Sequence, residues 1–231
     1  MHWLCLFILY FSLSLSARDL GVVHHPVPKP PLYLKEGWYE SLKAQFPPPP
    51  TLESVEQKHD EQELFKLQKE RTPIDCERAK SEIFVSLKNF FGQEFGLLNE
   101  KDLEKLGPFF EQIRNDSDFF IQKLKVDYPR KRPFLYIQGL EPCIPKEVTG
   151  AYPSGHGVLS ELYFLILSEL FPNLKGKLEQ RAHQIAQDRV IAGVHHPSDI
   201  EAGKKVALLI FNELKKSKEF QKAFSQFNFR V

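Results

Sequence analysis

Apolar and polar positions follow a helical pattern along most of the chain. In the segment 197–224, apolar residues recur at roughly helical spacing and should face a core; they are Ile200, Val206, Ile210 and Leu214. No run alternates apolar and polar residues convincingly enough to indicate a strand. The pattern therefore predicts an all-α domain.

Helix-forming residues and helix-start signals give approximate bounds for these helices. The predicted helices cover residues 51–71, 74–91, 100–126, 155–171, 174–191 and 197–224. No internal repeat or Gly/Ser linker divides them. No apolar run after the N-terminal segment is long enough to cross a bilayer, so we expect no stable membrane span.

The N-terminal segment differs from the rest. Residues 1–17 contain no Asp, Glu, Lys or Arg, and residues 3–15 are largely apolar before a short run of small residues. This length suits a signal peptide better than a membrane span. We predict that residues 1–17 are a cleaved signal peptide and that the protein is periplasmic or secreted. A buried N-terminal helix or an uncleaved anchor is the alternative.

Residues 26–50 are dense in proline, which favours extended backbone on a surface. Leu32, Tyr33, Trp38 and Phe46 offer apolar anchors within this stretch, although a flexible linker would have a similar composition. We predict that residues 18–50 form an arm packed on the core and that residues 51–231 form the all-α domain.

Charge and cysteine content bear on nucleic-acid binding and on disulfide formation. Lys and Arg total 31 against 30 Asp and Glu, a balance that does not indicate a nucleic-acid-binding surface. Cys5 lies in the predicted signal peptide, which leaves Cys76 and Cys143 in the mature chain. An oxidising compartment permits one disulfide between them, but two cysteines do not establish it.

Two short motifs carry candidate anion-binding chemistry. Lys125 and Arg132 lie seven residues apart in a basic segment that Pro129 interrupts. By itself such a cluster is more often a solvated surface. Further on, a Pro-Ser-Gly-His sequence at 153–156 precedes an apolar helix, whose free N–H groups and dipole favour an anion. A plain N-cap at Ser154 would explain the same residues.

A third motif supplies a candidate nucleophile. Arg189, His195 and Asp199 follow one another at fixed intervals, and Pro197 places Asp199 in the first turn of a helix. The carboxylate would be held ionised there and could accept the Nδ1 proton of His195, leaving Nε2 as a nucleophile. A structural His–Asp pair is the plainer interpretation. We interpret the neighbouring His196 as a packing or capping residue.

In this order, the three motifs resemble the phosphatidic acid phosphatase type 2 superfamily, which includes the vanadium haloperoxidases. Over nearly the whole mature chain, the sequence is similar to the bacterial class A non-specific acid phosphatases. The resemblance implies a compact helical bundle, often oligomeric, that hydrolyses small-molecule phosphomonoesters without a metal or other cofactor. One position departs from the family pattern, because Asp188 stands where serine commonly precedes the arginine. A carboxylate there would oppose phosphate binding unless it points away.

The resemblance also implies a role for each motif residue. His195 would attack phosphorus, Asp199 would stabilise the resulting imidazolium, and His156 would protonate the leaving oxygen. The phosphate-binding groups would be Lys125, Arg132, Ser154, Gly155 and Arg189.

Three other functions use similar residues. A vanadium-dependent haloperoxidase would keep the same site, but such enzymes are usually much longer. A membrane-lipid phosphatase would need transmembrane helices. A non-catalytic phosphate-binding protein would need the cations but neither His156 nor His195.

Overall fold

The computed structural model describes residues 22–23 and 27–227. Within them the chain forms helices α1 to α9 and two short strands. The helices are Tyr39–Ala44, Val55–Glu70, Pro73–Ser81, Leu87–Phe91, Glu100–Asp127, Gly155–Leu170, Lys175–Ile191, Pro197–Leu214 and Lys218–Phe224. The strands β1, Val22–Val23, and β2, Lys146–Glu147, pair in parallel. The predicted all-α class is confirmed. The predicted signal peptide, residues 1–17, lies outside the described residues.

Helix α6 lies at the centre of the bundle. Apolar side chains are buried around most of its circumference, as expected for a helix enclosed by others. It packs against α7 and α8, and the predicted apolar face of α8 lies in this core, with Val206, Ile210 and Leu214 fully buried. The start of α6 is therefore fixed relative to α7 and α8.

Two predicted helices are each divided in the structure. The segment 74–91 is interrupted after α3, and the serine at the start of α4, Ser86, accepts a hydrogen bond from the backbone N–H of Asn89. The segment 197–224 is interrupted after α8, and Ser217 accepts one in the same way from Phe220 at the start of α9. The prediction of one continuous helix in each segment was wrong, because both serines act as N-caps inside an otherwise helical pattern.

Of the proline-rich segment, the structure describes residues 27–50, and this part lies against α5. Phe46 is buried, and Tyr33 and Trp38 pack on the core. Leu32 does not serve as an apolar anchor, because its side chain is 59% exposed. Instead its backbone N–H, with those of the next two residues, donates to the buried carboxylate of Asp116. The domain bounds given above stay a prediction.

Cys76 and Cys143 form a disulfide that spans 67 residues of sequence. It fastens the loop before β2 to α3. No helix in the described part of the chain is both long enough and apolar enough to cross a membrane.

Candidate active site

The site forms where the N-termini of α6 and α8 meet. The two helices approach so closely that a Cβ at Gly203 would lie 2.9 Å from the carbonyl oxygen of Ser154. The backbone N–H of Ser154 donates to the carbonyl oxygen of Asp199 across 3.0 Å. This contact brings the second and third motifs together, and the C-terminal ends of α5 and α7 add Lys125 and Arg189. All eight predicted site residues therefore converge.

The Pro-Ser-Gly-His motif forms the first turn of α6. Ser154 is fully buried, and its Oγ accepts a hydrogen bond of 3.2 Å from the N–H of Gly157. The N-cap expected as the plainer interpretation is present, and it leaves the hydroxyl proton available for an anion. Gly155 lines the adjoining pocket.

His156 is buried beside this turn, with Nε2 2.9 Å from the carbonyl oxygen of Glu82. Because a carbonyl only accepts, Nε2 carries the proton and Nδ1 is the atom able to exchange one. Burial, followed by the charge of Arg189, lowers the pKa of His156 well below its usual value. A phosphate dianion beside the ring would raise the pKa of His156.

His195 is held with Nε2 as the proton acceptor and Nδ1 as the proton donor. Its Nδ1 lies 3.2 Å from Oδ2 of Asp199, and its Nε2 lies 2.7 Å from Nη1 of Arg132. A guanidinium only donates, so Nε2 holds the lone pair and Nδ1–H faces the carboxylate. Burial and the nearby Arg132 lower the pKa of His195 to about 3. The imidazole is therefore neutral, as a nucleophile must be.

Asp199 receives more hydrogen bonds than the sequence predicted. Burial alone would raise its pKa, but hydrogen bonds from His195 and His196 hold the pKa well below the usual value. The backbone N–H of His196 donates to Oδ2 across 2.8 Å, so its predicted capping role is present. Arg130, which was not predicted as a site residue, donates to Oδ1 of Asp199 across 2.6 Å and to Asp60 across 2.9 Å.

Arg132 and Arg189 lie side by side and are fully buried. Nη1 of Arg189 donates to the carbonyl oxygen of Ala79 across 3.0 Å, while its buried Nε has no hydrogen-bond partner among the described residues. Lys125 donates to the carbonyl oxygen of Gly150. Burial, with the charge of Arg132 adding to it, lowers the pKa of Lys125 to about 7.

The residue that departs from the family pattern points away from the site. Both carboxylate oxygens of Asp188 bind Arg78, from Nε and Nη2, across 2.7 Å each. Gln184 donates to the same carboxylate across 2.9 Å. Asp188 therefore joins α7 to α3, and its charge is neutralised by a bidentate arginine.

A pocket of roughly 240 Å³ leads to these residues from the surface. Its wall includes Lys125, Glu147, Gly155 and His156, together with the exposed side chain of Phe84. Glu147 was not predicted as a site residue. Its partners are distant in sequence, so no local spacing indicates it.

The cluster combines three cations, helix N-terminal N–H groups, a neutral imidazole with a free lone pair and a second imidazole. Such a set suits in-line transfer of a phosphoryl group. Within residues 22–23 and 27–227, no three His, Cys, Asp or Glu side chains are grouped as metal ligands.

Comparison with solved structures identifies the fold. A phosphatidylglycerolphosphate phosphatase of the transmembrane PAP2 type from Bacillus subtilis superposes with a TM-score of 0.53 at 20% identity, over 84% of this chain and 96% of that one. A bacterial vanadium-dependent iodoperoxidase gives 0.58 at 17% identity, over 82% of this chain and 59% of that one.

Comparison with curated sequences identifies the family, although no family model matches the chain. A non-specific acid phosphatase from Salmonella typhimurium is 29% identical over 81% of this chain and 79% of its own length. One from Providencia stuartii is 31% identical over 84% of this chain and 82% of its own length. The resemblance inferred from the three motifs is thereby confirmed, and the chain belongs to the family of non-specific acid phosphatases.

Proposed function

We propose that this protein hydrolyses small-molecule phosphomonoesters through a phosphohistidine formed on His195, without a metal ion. The observation that carries the proposal is the state of His195, a neutral ring with the Nε2 lone pair set among buried cations and Nδ1–H against Asp199. A binding protein would need the cations but not a nucleophile in this tautomer.

The substrate dianion would be bound by charge and by backbone donors. Lys125, Arg132 and Arg189 would neutralise the phosphoryl oxygens, and the N–H groups at the start of α6 would donate to them. The buried Nε–H of Arg189 supports this arrangement, since a phosphate oxygen would supply the acceptor that this donor lacks among the described residues.

The first chemical step would form a bond between Nε2 of His195 and phosphorus while the ester P–O bond breaks. The leaving oxygen would take its proton from Nδ1 of His156, so an alcohol departs. The imidazole becomes cationic as it is phosphorylated, and the carboxylate of Asp199 stabilises that charge.

The second step would reverse the proton movement. Nδ1 of His156, now unprotonated, would take a proton from water as the water oxygen bonds to phosphorus. The N–P bond then breaks, which releases phosphate and regenerates neutral His195. Both steps would use the same pair of histidines.

The proposal is tested by phosphate release from aryl, sugar and nucleoside phosphates. Activity should survive EDTA, and vanadate, which adopts the geometry of the transferring group, should inhibit competitively. Loss of activity on chelation that Mg²⁺ or Zn²⁺ restores would overturn the mechanism. A halide oxidation assay with vanadate and peroxide would reveal the haloperoxidase alternative.

We also propose that the enzyme acts outside the cytoplasm. The predicted signal peptide and the disulfide between Cys76 and Cys143 support export, because disulfides persist in oxidising compartments. Sequencing the N-terminus of the exported enzyme tests this, since a chain that still begins at Met1 would contradict cleavage.

A further inference from the structure

The carboxylate of Glu147 lies between the two arginines that would bind phosphate. Its Oε2 is 2.6 Å from Nη2 of Arg132, and its Oε1 is 3.3 Å from Nη2 of Arg189. Glu147 is buried, and so are both arginines. A planar anion bridging two guanidinium groups is the arrangement that a bound phosphate would itself adopt.

The donors of Arg132 are all engaged in this arrangement. Nε donates to the carbonyl of Thr149, and Nη1 to the carbonyl of Val194 and to Nε2 of His195. Nη2 donates to Glu147 and to the hydroxyl of Thr149. A guanidinium has five N–H donors and all five have acceptors. A phosphoryl oxygen can therefore bind Arg132 only by replacing one of them.

The position of Glu147 relative to the pocket points to the acceptor that is replaced. Glu147 forms part of the pocket wall, whereas Arg132, Arg189 and His195 do not. These three side chains are fully buried. A substrate entering the pocket thus meets the carboxylate before it reaches either arginine.

We infer that Glu147 is a built-in competitor for the phosphate position, which the phosphoryl group of the substrate must displace before His195 can attack. This inference rests on the proposed function and adds a positioning residue to it. The backbone of Glu147 is fixed by the pairing of β2 with β1, and Cys143 fastens the preceding loop to α3. Displacement therefore takes place by rotation of the side chain rather than by movement of the strand.

Displacement should become easier in acid. Once Glu147 is protonated, its attraction to the arginines weakens, and it no longer repels an incoming anion. The charged or titratable groups that interact with Glu147 include Lys125, His156, Arg189 and Arg132, which come from α5, α6, α7 and the segment after α5. These groups remain when Glu147 alone is changed, so a comparison of two pH profiles isolates its contribution.

The test is calorimetric binding of inorganic phosphate, together with steady-state kinetics, for the wild type and Glu147→Gln. The amide keeps the shape and loses the charge, so we expect phosphate to bind about tenfold more tightly near neutral pH and KM to fall. Phosphate affinity in the wild type should rise more steeply on acidification than in the variant. Equal or weaker binding by Glu147→Gln would overturn the inference, since it would mean that the carboxylate only organises the arginines.

Two further variants keep the test decisive. Glu141→Gln removes the same charge from an exposed position in the loop before β2, and we expect its phosphate affinity to stay within about twofold. Glu147→Asp keeps the charge but shortens its reach, so it should bind phosphate with intermediate affinity even if the amide variant folds poorly. Wild-type protein that neither binds phosphate nor releases it from esters would refute the proposed function itself, whatever the variants do.

Discussion

Nη1 of Arg132 lies 2.7 Å from Nε2 of His195, so the proposed nucleophile shares its lone pair with a proposed phosphate-binding donor. One arginine thus fixes the tautomer of the histidine and shields it from solvent protons. In the proposed mechanism, Arg132 would turn to the phosphoryl oxygens and release this lone pair next to phosphorus. This contact would then couple phosphate binding to activation of His195.

If His195 is the nucleophile, His195→Ala should form no phosphoenzyme with any substrate, because the variant lacks the nitrogen that accepts the phosphoryl group. The measurement is acid-quench trapping of a labelled, acid-labile and alkali-stable intermediate. His183→Ala, on the exposed side of α7, serves as the control and should keep full labelling. A labelled intermediate that persists in His195→Ala would contradict the assignment.

His156→Ala should separate substrates by their leaving groups. An alkoxide leaves only when protonated, whereas a nitrophenolate leaves unaided, so alkyl phosphatase activity should fall by about 10²–10⁴ and aryl activity by much less. The water step also loses its base, so a phosphohistidine should accumulate from aryl substrates. Equal damage to both substrate classes would rule out the role of general acid.

Lys125→Met should make the protein more stable while reducing kcat/KM by about 10²–10³. Burial lowers the pKa of Lys125 to about 7 from 10.5, so below pH 7 the folded protein carries a poorly solvated charge. We expect a gain of roughly 2 kcal/mol or more in the free energy of unfolding, partly offset by the lost hydrogen bond to Gly150.

The stability gained by Lys125→Met depends on pH. Between about pH 7 and 10.5 the unfolded chain binds a proton at Lys125 that the folded chain has released, so wild-type stability rises with pH. The advantage of Lys125→Met should therefore be full below pH 7 and shrink above it, as measured by thermal unfolding in phosphate-free buffer. Lys101→Met, an exposed change in the same helix, should alter stability by less than about 0.5 kcal/mol.

Gly203→Ala should damage the site without touching any proposed catalytic group. Its Cβ would lie 2.9 Å from the carbonyl oxygen of Ser154 and 3.0 Å from the backbone of Gly157 and Val158, so α8 must move away from the start of α6. We expect lower stability and a lower kcat together.

Gly176→Ala is the matched control for this change, because nothing lies within 4 Å of a Cβ at that helical position. It should be neutral or stabilising, as alanine is the better helix former. If the two variants behaved alike, the close approach of α6 and α8 would not govern the site.

The sequence was sufficient to predict which residues the structure brings together at the proposed catalytic centre. Each motif is short and lies at or next to helix ends, so the local spacing that identifies it also fixes much of its geometry. His195 and Asp199, four residues apart across the start of α8, are an example.

The groups that support this centre could not be predicted in the same way. Arg130 pairs with Asp60, which lies 70 residues earlier, and Glu147 reaches Arg189 across 42 residues. Such pairs are made by tertiary packing and leave no pattern along the chain. The divided helices were missed for a different reason, since Ser86 and Ser217 are compatible with a helix interior until their side chains cap a new one.

The cations and the proposed acid are held largely by main-chain oxygen. The carbonyls of Ala79, Glu82 and Gly150 orient Arg189, His156 and Lys125, and those of Thr149 and Val194 orient Arg132. Every residue type carries a carbonyl, so substitutions at these five supporting positions leave the acceptors in place as long as the chain keeps its path. Sequences can therefore diverge at these five positions while Lys125, Arg132, His156 and Arg189 keep their orientation. An insertion or a proline that redirects the backbone there would remove the carbonyl acceptors.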